Sequence, residues 1–313
     1  MQEGKKIGMA GGDGRMGAAL RMLLRAAEEE GSPLRGAEFA LWGAGFRTDG
    51  DMAETGRQLV LCADAESAVR EADAVILPLP VSRDGIRLNA PGTDSPAPEV
   101  LRLVGVMKPG AMLFGGRIPE TAWDRARERG LRVTDYFEDE AFQIRNAVPT
   151  AEGALAACIG TLPVTVAGLC CTVLGYGRVG RTLAVRLKAL GAEVTAAARS
   201  PRDLARAEAD GCDPVPLAEW KTAPRADRAV FNTVPAKILD AGTLERMGAG
   251  AVLFDLAPGA EGPLCCDGTE AEQAGVRVMP LPSLPGKCAP ETAGEIIGRA
   301  VLAGLAAEEG GRL

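Results

Sequence analysis

The segment Gly175-Tyr176-Gly177-Arg178-Val179-Gly180 carries the clearest chemistry in this chain. In the pattern G-x-G-x-x-G the first glycine permits a tight turn, the second lets the backbone approach a pyrophosphate, and the third lets helix and strand pack closely. Amides and dipole at the helix start then hold the anion. The surroundings agree: an apolar run from Val166 to Leu174 reads as a strand, and Val179, Leu183, Leu187 and Leu190 recur at helical spacing before Gly191. Glu193 to Ala198 reads as a second strand. The motif thus sits in a β-α-β unit of about 30 residues, which separates it from a chance pattern in a chain with 40 glycines.

The end of that second strand selects the cofactor, because an acidic residue there would bind the ribose 2′-hydroxyl of NAD. Here the chain reads Ala198-Arg199-Ser200-Pro201-Arg202. A guanidinium can bind a 2′-phosphate in a fork and stack on adenine, so NADP is expected over NAD, with Arg199, Ser200 and Arg202 as contacts. The competing reading makes Arg199 and Arg202 solvated charges and the site indifferent to the phosphate. Asn232-Thr233-Val234-Pro235 follows a later strand candidate, where such a chain passes the nicotinamide ribose, and its amide, hydroxyl and proline-fixed turn suit cofactor contact. An Asx or Thr turn capping the strand is the alternative.

The chain has no histidine, which excludes Ser-His-Asp and Cys-His catalysis, His metal clusters and imidazole proton carriers. Proton transfer must fall to carboxylate, Lys, Tyr, Cys or water. Eight cysteines without any C-x-x-C give no metal framework, and packing roles are expected for them.

These residues need a scaffold, and 313 residues suggest two domains of about 150 each. With 47% hydrophobic and 25% charged residues the chain reads as folded and globular. A net charge of −7 opposes nucleic-acid binding, and the lack of an apolar run of about 18 residues opposes a membrane span. With no secretory signal recognised, a cytoplasmic location and reduced thiols are expected.

In the first half, Ile7 to Ala10 reads as a strand, Gly11-Gly12-Asp13-Gly14 as a turn, and Met16, Leu20, Leu23, Leu24 and Ala27 as one face of a helix ending at Gly31. Apolar runs at Glu38 to Trp42, Ala74 to Leu77, Ala111 to Phe114 and Leu131 to Val133 alternate with helical segments at Ala65 to Glu71 and Glu120 to Arg129. Later strands are expected at Ala229 to Asn232, Ala251 to Leu256 and Val276 to Met279. The class is therefore α/β, two Rossmann-like domains with mostly parallel doubly wound sheets and an interdomain cleft. Residues 1–149 form a flavodoxin- or Rossmann-like substrate domain, completed by a C-terminal helix over 290–307, and residues 150–289 form the NADP domain. A helix starting with Thr150 as its cap is expected to connect them. The loop from Pro78 to Pro98 is long enough to be functional.

Several segments taken together resemble a known family. They are Gly11-Gly12-Asp13 with Arg15, Asp84-Gly85 with Asn89-Ala90-Pro91, Asn146-Ala-Val-Pro-Thr-Ala-Glu-Gly153, Gly175 to Gly180, Asn232 to Pro235, and Leu284-Pro-Gly-Lys-Cys-Ala-Pro-Glu-Thr-Ala-Gly294. In order and over nearly the whole chain they resemble the A subunits of dipicolinate synthase. The resemblance implies a two-domain dehydrogenase, related to alanine and 2-hydroxyacid dehydrogenases. Such an enzyme makes pyridine-2,6-dicarboxylate in sporulating bacteria from the product of dihydrodipicolinate synthase. It also implies that the partner is a flavoprotein-like B subunit. The chain departs from the family at Asp255-Leu256-Ala257-Pro258-Gly259-Ala260, where the family has a serine before Pro-Gly-Gly.

A small cyclic dicarboxylate would need cationic anchors at strand ends, and Arg83, Arg117 and Lys287 are the candidates. Asn146 and Thr150, in the family-specific segment, are further substrate-binding candidates. Glu152 beside them is nominated for proton transfer with Lys287, on the expectation that partial burial raises its carboxyl, against an ordinary first-turn glutamate. Asp13 shapes its turn, and Asp135, Tyr136 and Glu138 are unranked. Other readings are an amino-acid or shikimate-type dehydrogenase, for which the usual Lys-His or Lys-Asp pair is missing, and a non-catalytic NADP(H)-binding regulator. A homo-oligomer is the default expectation.

Overall fold

The computed structural model describes residues 4–46, 59–223, 227–257 and 265–310. The chain divides into two compact units, one of Met1–Gln143 with Pro290–Leu313 and the other of Ile144–Ala289.

The first unit is built on strands β1 (Lys6–Ala10), β2 (Glu38–Trp42), β3 (Leu59–Leu61), β4 (Ala74–Ile76), β5 (Met112–Gly115) and β6 (Arg132–Asp135). They form one parallel sheet in the order β3-β2-β1-β4-β5-β6. Helices α1 (Gly14–Ala26), α2 (Ala65–Val69), α3 (Val100–Val106) and α4 (Glu120–Glu128) connect the strands. The central strands are short apolar runs because both faces of the sheet are covered. Ile7, Met9 and Phe39 join Leu20, Leu23 and Phe142 in one core, while Val75 and Leu113 join Val69, Leu103 and Val104 in the other. Each such side chain, fully buried, contributes on the order of 2 kcal/mol.

Next comes α5 (Glu140–Thr161), whose residues fall in both units. The second unit has strands β7 (Cys170–Leu174), β8 (Glu193–Ala198), β9 (Asp213–Pro216), β10 (Ala229–Asn232), β11 (Val252–Asp255) and β12 (Arg277–Pro280). Their order is β12-β11-β10-β7-β8-β9, again all parallel. Helices α6 (Arg178–Ala189), α7 (Pro201–Ala209), α8 (Leu217–Thr222), α9 (Ala241–Met247), α10 (Gly268–Gln273) and α11 (Leu284–Cys288) complete it. The last helix, α12 (Pro290–Gly310), belongs to the first unit and packs along α1. A Cβ at Gly294 would lie 2.3 Å from the Arg15 carbonyl and one at Gly298 2.8 Å from Met22 Sδ, so the approach needs glycine at these positions.

The structure revises several expectations. The strand expected from Val166 starts only at Cys170, because Leu169 N donates to Val166 O and closes a turn. Thr150 is not a helix cap. It lies inside α5, one residue after the internal Pro149, and its Oγ1 donates to the Asn146 carbonyl at 2.8 Å. Strand β9, Asp-Pro-Val-Pro, has no counterpart among the expected strands because two prolines disfavour one, yet it lies at a sheet edge, where a missing N–H is tolerated. Pro258-Gly259-Ala260 of the departing loop lie outside the described residues.

Candidate cofactor and substrate sites

Both sheets have the strand order 3-2-1-4-5-6 counted within each unit, and ligands of such sheets bind at the carboxyl ends where the order reverses. Those points lie between β7 and β10 in the second unit and between β1 and β4 in the first.

At the first of these points, Gly175 takes a φ of +88°, and a Cβ there would stand 2.7 Å from Thr233 Oγ1. A Cβ at Gly180 would lie 2.1 Å from the Gly175 carbonyl, so only glycine lets α6 start against the turn. Gly177 is the N-cap of α6, and no side chain caps the helix there. The space over Gly177 is open, with no atom within 4 Å of a Cβ built on it. An uncapped start of a 12-residue helix beneath open space suits a pyrophosphate. A nicotinamide dinucleotide fits the residues present: Gly175, Gly177, Arg178 and Val179 form the turn, and Val234 and Pro235 form the outer part of the neighbouring loop.

Other residues nominated for cofactor contact work differently. Tyr176 is buried, and its hydroxyl donates to Asp210 Oδ2 at 3.0 Å, with Cys212 Sγ at 3.7 Å. Burial pushes its hydroxyl well above the usual tyrosine range, and Cys212 and Asp210 add to this. It contributes its backbone to the turn and its ring to the core. Asn232 is fully buried, donates to Val234 O and Asp255 Oδ1 and accepts from Val234 N. Its amide is thus engaged in an Asx turn that shapes the loop. Thr233 Oγ1 donates to the Leu174 carbonyl at 2.9 Å and ties β10 to the end of β7. At the end of β8, Arg199 and Arg202 are exposed, and Ser200 caps α7 without a side-chain hydrogen bond. Arg202 lies 3.6 Å from Asp203, and both side chains flank a helix start.

The first unit answers with a different turn. Asp13 is the N-cap of α1, and its Oδ1 accepts from Arg15 N at 3.1 Å and Arg15 Nε at 2.8 Å. The buried Arg15 also donates to Asp13 Oδ2 and to the Leu79 carbonyl, at 2.9 and 2.7 Å. Burial alone would raise the Asp13 carboxyl, but the Arg15 bonds and charge, with the Arg83 charge, hold it below the ordinary range. The sequence signal for this turn is the glycine directly after the strand: Gly11 follows β1 with a φ of +79°, as Gly175 follows β7, and Asp13 then stands where the second unit has Gly177.

Two candidate anchors stand at this same sheet edge. Val81 N donates to the Gly116 carbonyl at 2.9 Å, so the loops that carry Arg83 and Arg117 leave adjacent strands side by side. Arg83 is exposed and donates through Nε to Asn89 Oδ1 at 3.1 Å. Arg117 has a φ of 53°, strained for a side-chain-bearing residue, and its guanidinium lies 4.5 Å over the Phe137 ring. Asp135 holds that conformation by accepting from Arg117 N, Ile118 N and Phe137 N. It is a backbone clamp. Tyr136 is buried, with its hydroxyl donating to Leu77 O, and burial pushes that hydroxyl up.

The segment Asn146 to Gly153 meets residues Leu284 and Cys288 of the later segment within the second unit. A Cβ at Gly153 of α5 would lie 2.9 Å from Cys288 Sγ and 3.1 Å from Leu284 Cβ, so α11 packs directly on α5. Lys287 is exposed on α11, and Asn146 is half-buried on α5. Glu152 does not fit its nomination. It lies in mid-helix with a side chain 57% exposed, 3.4 Å from Arg186, so the burial on which its proton-transfer role depends is missing.

Comparisons with known proteins agree with the division into units. Residues 6–137 match the family model of the N-terminal domain of dipicolinate synthase A subunits, and residues 155–261 match that of the NAD-binding domain of D-isomer specific 2-hydroxyacid dehydrogenases. The dipicolinate synthase A subunit of Bacillus subtilis (strain 168) is 35% identical over 188 residues, 59% of this chain. The chain resembles the A subunits of dipicolinate synthase. That alignment spans 62% of the relative's length. The crystal structure of dipicolinate synthase, A chain, from Bacillus subtilis superposes with a TM-score of 0.81 and 28% identity, over 98% of this chain and 99% of that one. The A subunit from Bacillus halodurans shares the fold, with a TM-score of 0.82, 24% identity and the same coverage. The second unit is a nicotinamide-dinucleotide domain. No helix among the described residues is long and apolar enough to cross a membrane.

Proposed function

We propose that the chain is an NADP-dependent dehydrogenase that forms pyridine-2,6-dicarboxylate from the product of dihydrodipicolinate synthase, in the cytoplasm of a sporulating cell and beside a flavoprotein-like B subunit. The observation that carries this is the match of residues 6–137 to the N-terminal domain of dipicolinate synthase A subunits, joined in one chain to a nicotinamide-dinucleotide domain.

In this reading Arg83 and Arg117 each take one ring carboxylate, since they leave neighbouring strand ends and a guanidinium binds a carboxylate in a fork. The α6 start and the loop ending in Val234 and Pro235 hold the cofactor, which accepts a hydride when bound. Arg199, Ser200 and Arg202 receive the 2′-phosphate, a role supported by exposed guanidiniums and the lack of an acidic residue at the end of β8. Oxidation of a dihydropyridine dicarboxylate removes one hydride and one proton and leaves an aromatic ring. Aromatisation supplies driving force, so the chain need mainly orient the ring and hold its charges. The two tyrosines are buried with their hydroxyls pushed up, which leaves carboxylates, lysine, cysteine and water for the proton. Exposed Lys287 is the side chain this reading keeps for that step.

A coupled assay tests it. Dihydrodipicolinate synthase generates substrate beside this protein with NADP or NAD, with and without a B subunit, while NADPH absorbance and the ultraviolet bands of the aromatic product are followed. NADPH and product rising together support the reading. Cofactor binding without turnover in every arm favours the regulatory alternative, and turnover with NAD alone overturns the role given to Arg199 and Arg202.

A further inference from the structure

We infer that Asn89 is a positioning residue that aims Arg83 at one substrate carboxylate, and so sets the preference for a dicarboxylate over a monocarboxylate. This rests on the reading of Arg83 as an anchor.

The loop after β4 is exposed from Arg83 to Arg87, but Asn89 at its end is only 6% exposed. A polar side chain that deep must be satisfied, and here each end of the amide has a definite task. Its Nδ2 donates to the Pro80 carbonyl at 3.1 Å, and its Oδ1 accepts from Arg83 Nε at 3.1 Å. The backbone is fixed as well, since Asn89 N donates to Val81 O at 2.8 Å and Asn89 O accepts from Gly12 N at 2.7 Å. Asn89 is therefore tied to the turn after β1 and to the loop after β4, the two segments flanking the switch point of the sheet.

The chemistry of the pair gives it a purpose. Only a side chain with one donor and one acceptor can bond Pro80 O and Arg83 Nε together, which an aspartate or a leucine cannot do without losing one bond. Gripping Nε leaves the two terminal nitrogens of Arg83 as a free, oriented fork, the arrangement that binds a carboxylate with two parallel hydrogen bonds. The Arg83 charge is near enough to the turn after β1 to help lower the Asp13 carboxyl. Arg117 is fixed by different means, through Asp135 and Phe137. A substrate with one carboxylate could engage either arginine, whereas two carboxylates need both aimed at once. Losing the aim of Arg83 should therefore weaken dicarboxylates selectively.

The test is a set of calorimetric titrations of the full-length protein with pyridine-2,6-dicarboxylate and pyridine-2-carboxylate. The variants are Arg83→Ala, Arg83→Lys, Asn89→Ala, Asn89→Asp and the double Arg83→Ala/Asn89→Ala, with NADPH affinity and thermal melting as controls. Arg83→Ala and Asn89→Ala should each lower the dicarboxylate-to-monocarboxylate affinity ratio about tenfold, the scale of one lost charge-assisted pair. The double variant should be no worse than Arg83→Ala, because Asn89 acts through Arg83. Asn89→Asp keeps the acceptor for Arg83 Nε but loses the donor to Pro80 O, so its ratio should fall between those of the wild type and Asn89→Ala. Arg83→Lys, which keeps the charge but has no Nε to grip, should lose the ratio without any change to the loop, so it serves even if Asn89→Ala fails to fold. In turnover, Asn89→Ala should raise KM and leave kcat within about twofold. An unchanged ratio in Asn89→Ala or Arg83→Lys, or additive losses in the double variant, overturns the inference while leaving Arg83 as an anchor. An unchanged ratio in Arg83→Ala overturns the anchor reading itself.

Discussion

The two units share a strand order and a glycine of positive φ directly after the first strand, yet the helix that follows begins differently in each. In the second unit α6 starts at Gly177 with no side-chain cap and open space above it. In the first unit α1 starts at Asp13, whose carboxylate bonds the helix amide of Arg15 and pairs with the Arg15 guanidinium. One turn is ready for an external anion, and the other supplies its own. The lesson is that a glycine after the first strand sets the turn, while the residue at the N-cap decides whether the helix start is left open to an anion.

The largest effect should come from making the second turn like the first. Gly177 has a φ of −77° and room for a side chain, so Gly177→Asp should fold while placing a carboxylate where the pyrophosphate belongs. NADPH affinity should fall about 100-fold or more, measured by fluorescence titration, from lost amide contacts and like-charge repulsion. Next in size, Arg199→Ala with Arg202→Ala should weaken NADP about tenfold and leave NAD nearly unchanged, which parallel titrations would show. Equal losses for both cofactors would mean that the arginines do not read the 2′-phosphate. In the first unit, Asp135→Ala removes the acceptor for three backbone amides that hold Arg117 at a positive φ. Its KM for substrate should rise by about fivefold to tenfold with NADPH affinity unchanged, read from steady-state kinetics.

The smallest effect concerns pH. The Asp84 carboxyl is lowered to about 2 because it accepts from the backbone amides of Arg87 and Ile86 and from the Ser82 hydroxyl. A carboxyl depressed on folding contributes stability that is present above its unfolded value of about 4 and lost as pH falls through the folded value. The Ile86 and Arg87 amide resonances should therefore stay constant from neutral pH down to about 4 and shift only on approach to about 2. A shift with its midpoint between about 5 and about 4 would contradict the turn as described.

Much of this is legible in the sequence because both sheets are buried on both faces. Strands β8 and β10 fall on the residues their apolar runs indicate, and Gly191 follows the end of α6. What cannot be read there is set by partners distant in sequence. Thr150 looks like a helix cap, but α5 continues through Pro149 and the threonine hydroxyl bonds back to Asn146. Glu152 looks available for burial, yet its position in the helix turns it to solvent and Arg186. Asn232 and Thr233 carry polar groups that suit a ligand, and the fold uses those groups to hold the loop beside Gly175. Arg15 and Asn89 are legible in the sequence only as members of segments that resemble a family, since only the folded chain shows that they are buried and bonded at the switch point.

The most direct test of the division of labour is the stoichiometry of NADPH binding to the full-length protein by isothermal titration calorimetry. One site per chain is expected, abolished by Gly177→Asp. Two sites per chain, or a single site that survives Gly177→Asp with unchanged affinity, would contradict it.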